Sequence, residues 1–272
     1  MAARSFDRRT YRRDPARIWH RQRRRSERIA PISRRCPAIP PVLGDVKMIT
    51  LYHAATTRSF RIYWLLEELG LAYERKEINY YEGERHGETF RAINPLGSFP
   101  VIADEGFILI ESGAIINYIL RRYGAGRFQA PPGSRDEALI DQWMYWSESL
   151  PAIHQRAFWD HCAPPPGCCD NPIPSVGREG KRAFIKTLDI LERDLREDGF
   201  AVGDELTGAD FMLSFPLFLA DFDNWLKNHP KVKAYTDRIA ARPAFRTAVR
   251  DTIDMCVQLY PPRPPRLAAA DK

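Results

Sequence analysis

Asn94-Pro95-Leu96-Gly97-Ser98-Phe99-Pro100-Val101 is the stretch on which the reading of this chain turns. Phe99 to Ala103 has the composition of a strand, yet Pro100 has no N–H to give to a ladder. The strand must therefore lie at a sheet edge, or the Phe99–Pro100 bond must be cis; either way the backbone of Phe99 is left open to an extended, peptide-like ligand. An ordinary edge-strand proline is the bland alternative. Outward from this point, Asp104-Glu105-Gly106 is a turn signal joining the strand to Phe107-Ile108-Leu109-Ile110 as a hairpin. Ser112 then caps a helix striped by Ile115, Ile116, Ile119 and Leu120.

Upstream, Ile49-Thr50-Leu51-Tyr52 reads as a short strand. Thr56-Thr57 offers a cap for a helix with Phe60, Trp64, Leu65 and Leu69 on one face and Gly70 at its end. Tyr73 to Ile78 is a second strand, and Gly87 to Ile93 a short helix or turn. The order strand, helix, strand, short helix, strand, strand, helix implies a small mixed sheet with helices on it. Gly124 to Gly133 reads as a linker. Beyond it, 137–150, 178–196, 209–220, 232–240 and 244–260 have helical period, with a proline-rich loop, Cys162 to Pro172, between the first two. The expected fold is α/β plus all-α.

Charge separates the ends of the chain. The total of +6 conceals thirteen Arg and one Lys against four acids in residues 1–47, a segment of +10, and leaves the rest at −4. The body is therefore not built to bind nucleic acid or an acidic membrane by global charge. Residues 1–47 read as a disordered, Arg-rich extension. It suits an organelle-targeting peptide or a nucleic-acid arm, although Arg21 to Arg25 lacks interleaved aromatics; the bland account starts translation at Met48. The longest nearly apolar run, Phe211 to Ala220, is too short to span a bilayer. Five unevenly placed cysteines argue for a reducing, cytoplasmic setting. His161, Cys162, Cys168, Cys169 and Asp170 invite a zinc reading, but adjacent cysteines fit ligand spacing poorly, and no metal is expected.

Two further places can carry chemistry. Thr56-Thr57-Arg58-Ser59 stands where a helix N-terminus favours an anion such as a thiolate and a hydroxyl can donate to it. Glu111-Ser112 can hold an ammonium on the Glu and a carboxylate on the Ser and the helix amides, the two ends of a free amino-acid group. A simple helix cap, and a capping Ser beside a solvated Glu, are the bland readings.

In this order and spacing the segments resemble the glutathione transferase superfamily, with its bacterial and fungal serine-type members as the nearest match. The resemblance rests on Arg61-Ile-Tyr-Trp-Leu-Leu-Glu-Glu-Leu-Gly-Leu, Asn94-Pro-Leu-Gly-Ser-Phe-Pro-Val-Ile, Glu111-Ser-Gly-Ala-Ile and Gly203-Asp-Glu-Leu-Thr-Gly-Ala-Asp-Phe. The last is similar to the family's capping box, with Thr207 capping, Asp210 answering and Leu206 packing on Phe211. The resemblance implies an N-terminal thioredoxin-like, glutathione-binding domain at 48–128, an all-helical C-terminal domain at 134–260 and a disordered tail at 261–272. It implies Thr57, or failing that Thr56, as the hydroxyl on the glutathione sulfur, with Thr in place of the usual Ser. Phe99 before a cis Pro100 would pair with the cysteinyl amide, and Glu111 and Ser112 would hold the γ-glutamyl group. Ser98 stands where many members carry Lys or Gln. A hydroxyl donor and a helix N-terminus would favour the thiolate, which attacks a small electrophile against a wall drawn from Trp143, Trp146, Phe158, Trp159 and Phe215. Glutathione as cosubstrate, a detoxifying transferase and a homodimer follow from the same resemblance; the other outcome is a non-catalytic binding or dimerisation module. With no Cys at the first turn and no Cys-x-x-Cys, thiol redox chemistry by the protein itself is not expected.

Overall fold

A computed structural model describes residues 48–80, 82–162 and 169–259, with side chains to Thr252. The expectations placed on 1–47, on Cys168 and on the tail lie outside the described residues. Strand β1 (Ile49–His53) alternates buried and half-buried positions, as one face of a covered sheet requires. Helix α1 (Ser59–Leu69) carries the chain to β2 (Tyr73–Glu77), which pairs parallel with β1 from Ile49↔Tyr73 to His53↔Glu77. A 3₁₀ turn (Glu84–His86) and α2 (Glu88–Ile93) lead to β3 (Val101–Asp104), antiparallel to β1, and on to β4 (Phe107–Ile110). The hairpin turn is Glu105-Gly106, both at positive φ (51° and 82°), the primed turn whose twist suits two strands. Helix α3 (Ser112–Tyr123) closes this thioredoxin-like half.

The sheet order is β2-β1-β3-β4. Strand β3 is therefore interior, and of the two sequence alternatives the cis one holds: the Phe99–Pro100 bond is cis. The strand begins at Val101 and not at Phe99, so both Phe99 and Pro100 precede the ladder.

The remaining described elements are helices: α4 (Arg135–Ser149), α5 (Pro151–Cys162), α6 (Pro174–Asp194), α7 (Gly208–Phe222), α8 (Pro230–Ala240) and α9 (Pro243–Leu259). The capping box forms, with Thr207 N–H donating to Asp210 at 2.7 Å. Asp210 also accepts from Tyr235 at 2.6 Å and from Ala201 N–H at 2.8 Å, tying α7 to α8. Leu206 and Phe211 are both fully buried in the same core.

Three helices also differ from the sequence reading. Helix α5 is absent from that reading because only Pro151 and Gln155 are buried in it, which leaves no apolar stripe to find. Its companion α6 starts at Pro174, four residues early, with proline in the first turn. A Cβ at Gly180 would meet His154 O at 2.7 Å, so glycine there lets α5 and α6 touch backbone to backbone. Helix α1 is buried along Ser59 to Leu66 and not on one face alone, because the sheet covers one side and α7 and α9 the other. Trp64, Phe211 and Phe245 meet in one aromatic cluster within the main core, which draws on residues from Ile49 to Ala248, and Ala54, Phe90, Phe99 and Val101 form a second, smaller cluster.

Candidate active site

Strand register decides where the candidate residues go. Tyr52 pairs with Val101, and Val101 with Ile110. The C-terminal end of β1, the N-terminal end of β3 and the C-terminal end of β4 therefore share one end of the sheet. Thr56 and Thr57 follow the first, Ser98, Phe99 and Pro100 precede the second, and Glu111 and Ser112 follow the third. Three segments separated by about forty and then twelve positions in sequence become neighbours on one edge.

At the first segment neither threonine caps α1: the cap position is Arg58, because Thr56 sits at φ 65° and swings the chain through one extra turn. The amides expected to face an anion are also engaged. Ser59 N–H donates to Thr57 Oγ1 (3.3 Å), Phe60 N–H to Thr57 O (3.2 Å) and Arg61 N–H to Arg58 O (3.1 Å). Thr57 Oγ1 lies 2.8 Å from Ala54 O and 2.8 Å from Ser59 Oγ. Ser59, wholly buried, also accepts from Ala54 N–H at 3.2 Å and reaches Nδ1 of the wholly buried His53 at 2.9 Å. Burial, with Arg75 nearby, lowers the His53 pKa to about 3, so the imidazole is neutral.

The helical half meets this turn through charge. Arg61, 1% exposed, pairs with Glu148 of α4, donates to Ser147 Oγ at 3.3 Å and lies 5.8 Å from the ring centre of Phe215. Arg58 joins Glu148 at 3.1 Å. Burial raises the Glu148 pKa, but Arg61 and Arg58 outweigh it and hold the carboxyl below its ordinary range. Of the five aromatics proposed as a second wall, Phe215 lies against Arg61. Trp143 pairs edge-on with Trp146, and Phe158 packs edge-on against both Trp159 and Trp225.

The second segment is clamped from within. Asn94, 1% exposed, donates to Ser98 O at 2.8 Å and Ser98 Oγ at 3.2 Å, while its own Oδ1 accepts from Leu96 N–H. Gly97 is at φ 61°, and a Cβ there would come 2.7 Å from Arg85 O, so the 84–86 turn sits directly on it. The Phe99 ring stacks on Phe90 with centroids 4.8 Å apart. Ser98 itself is exposed.

The third segment is a corner made by backbone. Glu111 has φ 72° and ψ 118°, outside the left-handed helical well, where a residue with a Cβ costs about 1–3 kcal/mol. Its side chain is exposed at the cap position of α3. Ser112, 3% exposed, is the first residue of that helix and not its cap. Strained non-glycine positions persist where the surroundings over-determine them, and they cluster at functional sites.

The sequence marks Ser59 only as the end of the Thr56 to Ser59 segment, with no role of its own, and does not mark His53 or the clamp of Asn94. His53 carries a signal that could have found it: it continues the inward alternation of Ile49 and Leu51, where a polar residue needs a partner. At the C-terminal end of α5, His161 Nδ1 accepts from Ile173 N–H at 3.1 Å, with Cys169 Sγ 4.0 Å away.

Comparison with known proteins converges with this geometry. The glutathione S-transferase N-terminal domain model matches residues 47–121, and a glutathione S-transferase C-terminal domain model matches 174–238. Glutathione S-transferase 3 of Schizosaccharomyces pombe is 30% identical over 246 residues, covering 80% of this chain and 97% of that one. A crystal structure of a glutathione S-transferase from Actinobacillus pleuropneumoniae superposes with a TM-score of 0.62 at 30% identity, covering 76% of this chain and 93% of that one. Glutathione transferase URE2P8 from Phanerochaete chrysosporium, solved with oxidized glutathione, superposes at 0.70 with 23% identity over 79% of this chain and 99% of that one, a likeness of fold. With both regions matched and a relative covered almost end to end, the chain belongs to the glutathione transferase superfamily.

Proposed function

We propose that this protein is a glutathione transferase that activates the thiol of glutathione for attack on a small electrophile. The observation that carries the reading is the meeting of the Thr57, Phe99 and Glu111 segments at one end of the sheet, with Glu111 at φ 72°. In this reading Glu111 takes the γ-glutamyl ammonium, and Ser112 with the first amides of α3 takes the carboxylate. The backbone of Phe99, ahead of Pro100, pairs with the cysteinyl amide, and Ser98 faces the glycine end. Thr57 Oγ1, with Thr56 as the alternative, meets the sulfur. A free thiol near pKa 8.5 is mostly protonated at neutral pH, and a hydroxyl donor favours the thiolate. The thiolate forms the new S–C bond, the leaving group departs with its electron pair, and the thiol proton is released to solvent. Phe215, packed on Arg61, supplies the adjoining surface from the helical half.

The division that suits this is 48–128 for glutathione and 134–260 for the electrophile, in a cytoplasmic, detoxifying homodimer, all supported by family membership. Among the described residues no helix is long and apolar enough to cross a membrane. One observation favours a second reading, a non-catalytic binding or dimerisation module: the Thr57 hydroxyl has inward partners in Ala54 O and Ser59 Oγ.

Conjugation of glutathione to 1-chloro-2,4-dinitrobenzene, followed in the wild type and in Thr57→Val, separates the two. A charge-assisted hydrogen bond contributes roughly 1.5–3 kcal/mol, so kcat/KM should fall about 10–100-fold in Thr57→Val. Turnover that is unchanged in the variant removes Thr57 from the reaction. A wild type that binds glutathione yet shows no turnover with this or other electrophiles selects the module.

A further inference from the structure

Beneath the Thr57 turn lies a buried pair that the proposed chemistry does not itself use. Ser59 Oγ has one proton and two lone pairs and is surrounded by four groups: Ala54 N–H (3.2 Å), His53 Nδ1 (2.9 Å), Thr57 Oγ1 (2.8 Å) and Ala54 O (3.1 Å). Ala54 N–H takes one lone pair, and the tautomer of His53 allots the rest. If Nε2 carries the imidazole proton, Ser59 must donate to Nδ1, and its remaining lone pair draws the Thr57 proton inward. If Nδ1 carries it, the imidazole fills that lone pair and Ser59 donates to Thr57 Oγ1 at 2.8 Å, the nearer of its two acceptors, with Ala54 O at 3.1 Å; the Thr57 proton then has only Ala54 O to hold it inside.

The far side of the ring chooses between these states. His53 Nε2 is buried and has no hydrogen-bond partner among the described residues. An orphaned buried donor costs about 1–3 kcal/mol and is rarer than an orphaned acceptor. The groups around the ring are Tyr63 of α1, edge-on at 5.6 Å, and the Arg75 charge from β2, which together with burial keeps the imidazole neutral. A bare Nε2 is thus the cheaper arrangement.

We propose that His53 and Ser59 are positioning residues for Thr57: the imidazole, held with its proton on Nδ1, donates to Ser59, Ser59 donates to Thr57 Oγ1, and the Thr57 proton is released to turn outward to the sulfur. This rests on the glutathione reading above. A thiolate outcompetes the neutral Ala54 carbonyl for that proton, because a hydrogen bond to an ionised acceptor is about twice as strong. The inward contact of Thr57 is then the resting state of a catalytic hydroxyl, and it no longer argues for a non-catalytic module.

Three measurements on the full chain test this. Long-range ¹H–¹⁵N correlation spectra of the wild type with S-methylglutathione should show His53 protonated at Nδ1 and bare at Nε2. Thiolate absorbance of bound glutathione, titrated with pH, should show the thiol pKa about one unit higher in Ser59→Ala, a tenfold loss of thiolate preference. Calorimetric affinity for S-methylglutathione, which has no thiol proton, should stay within about twofold of wild type in that variant. A complex with the proton on Nε2, or a Ser59→Ala thiol that titrates as in the wild type, overturns the positioning role while leaving the glutathione site intact. A wild type that does not bind S-methylglutathione overturns the glutathione reading, and this inference with it. The spectra need no variant, so the tautomer is decided even if Ser59→Ala does not fold.

Discussion

The Thr57 turn and the Glu111 corner are built alike and differ in how they are held. Each follows a strand, leads into a helix and contains a non-glycine residue at positive φ, Thr56 at 65° and Glu111 at 72°. At Glu111 the special feature is backbone, and the side chain stands in solvent. At Thr57 the special feature is a buried network of His53, Ser59 and Ala54, braced from the helical half by Glu148. One corner presents its side chain to solvent; the other is part of the core.

The largest expected effect is at the braced corner. Glu148→Ala leaves Arg61 buried without its carboxylate, and chemical denaturation should show a loss of about 3 kcal/mol. A loss below about 1 kcal/mol, the range of an exposed pair, would mean the Arg61 pair does not join α1 to α4. At the other corner Glu111→Gly should divide the two properties. Calorimetry should show glutathione affinity falling about 10–100-fold as the charged contact is lost, while denaturation shows a gain of about 1 kcal/mol as the positive φ is relieved. Binding and stability falling together would contradict the contrast.

The effect of pH is spread over several units. His53 is pushed down to about 3 in the fold against 6.5 when unfolded, so between these values the unfolded chain holds the extra proton. Stability should therefore fall as pH drops below 6.5, by about 1.4 kcal/mol per unit, and flatten near 3. Glu148, depressed in the fold, adds to the loss in the same direction as pH approaches 4.5. Melting curves of His53→Gln should lack the component that begins at 6.5, whereas Glu111→Ala should keep it.

The same contrast explains what is legible in the sequence. Pro100, Gly70, the Glu105-Gly106 turn and Thr207 with Asp210 act through local backbone rules, and each does what its local context implies. Glu111-Ser112 is legible as a pair because a carboxylate beside a hydroxyl at a helix start suggests a zwitterion, although the positive φ that aims the corner leaves no trace in residue type. The His53 to Ser59 link is hidden because it joins a strand end to a helix start through a turn whose shape depends on Thr56 being left-handed. Helix α5 is hidden because its buried positions are a proline and a glutamine, so hydrophobic period carries no signal there. Arg61 lies off the apolar face that the sequence defines on α1, and only the covering of both sides of that helix puts it inside.

The central claim is that the three segments at the sheet end form a glutathione site, and isothermal titration of glutathione into the wild type, Glu111→Ala and Thr57→Ala tests it most directly. Binding in the wild type, loss of that binding in Glu111→Ala, and binding without the thiolate absorbance in Thr57→Ala is the predicted result. No heat of binding at millimolar glutathione in the folded wild type would contradict it.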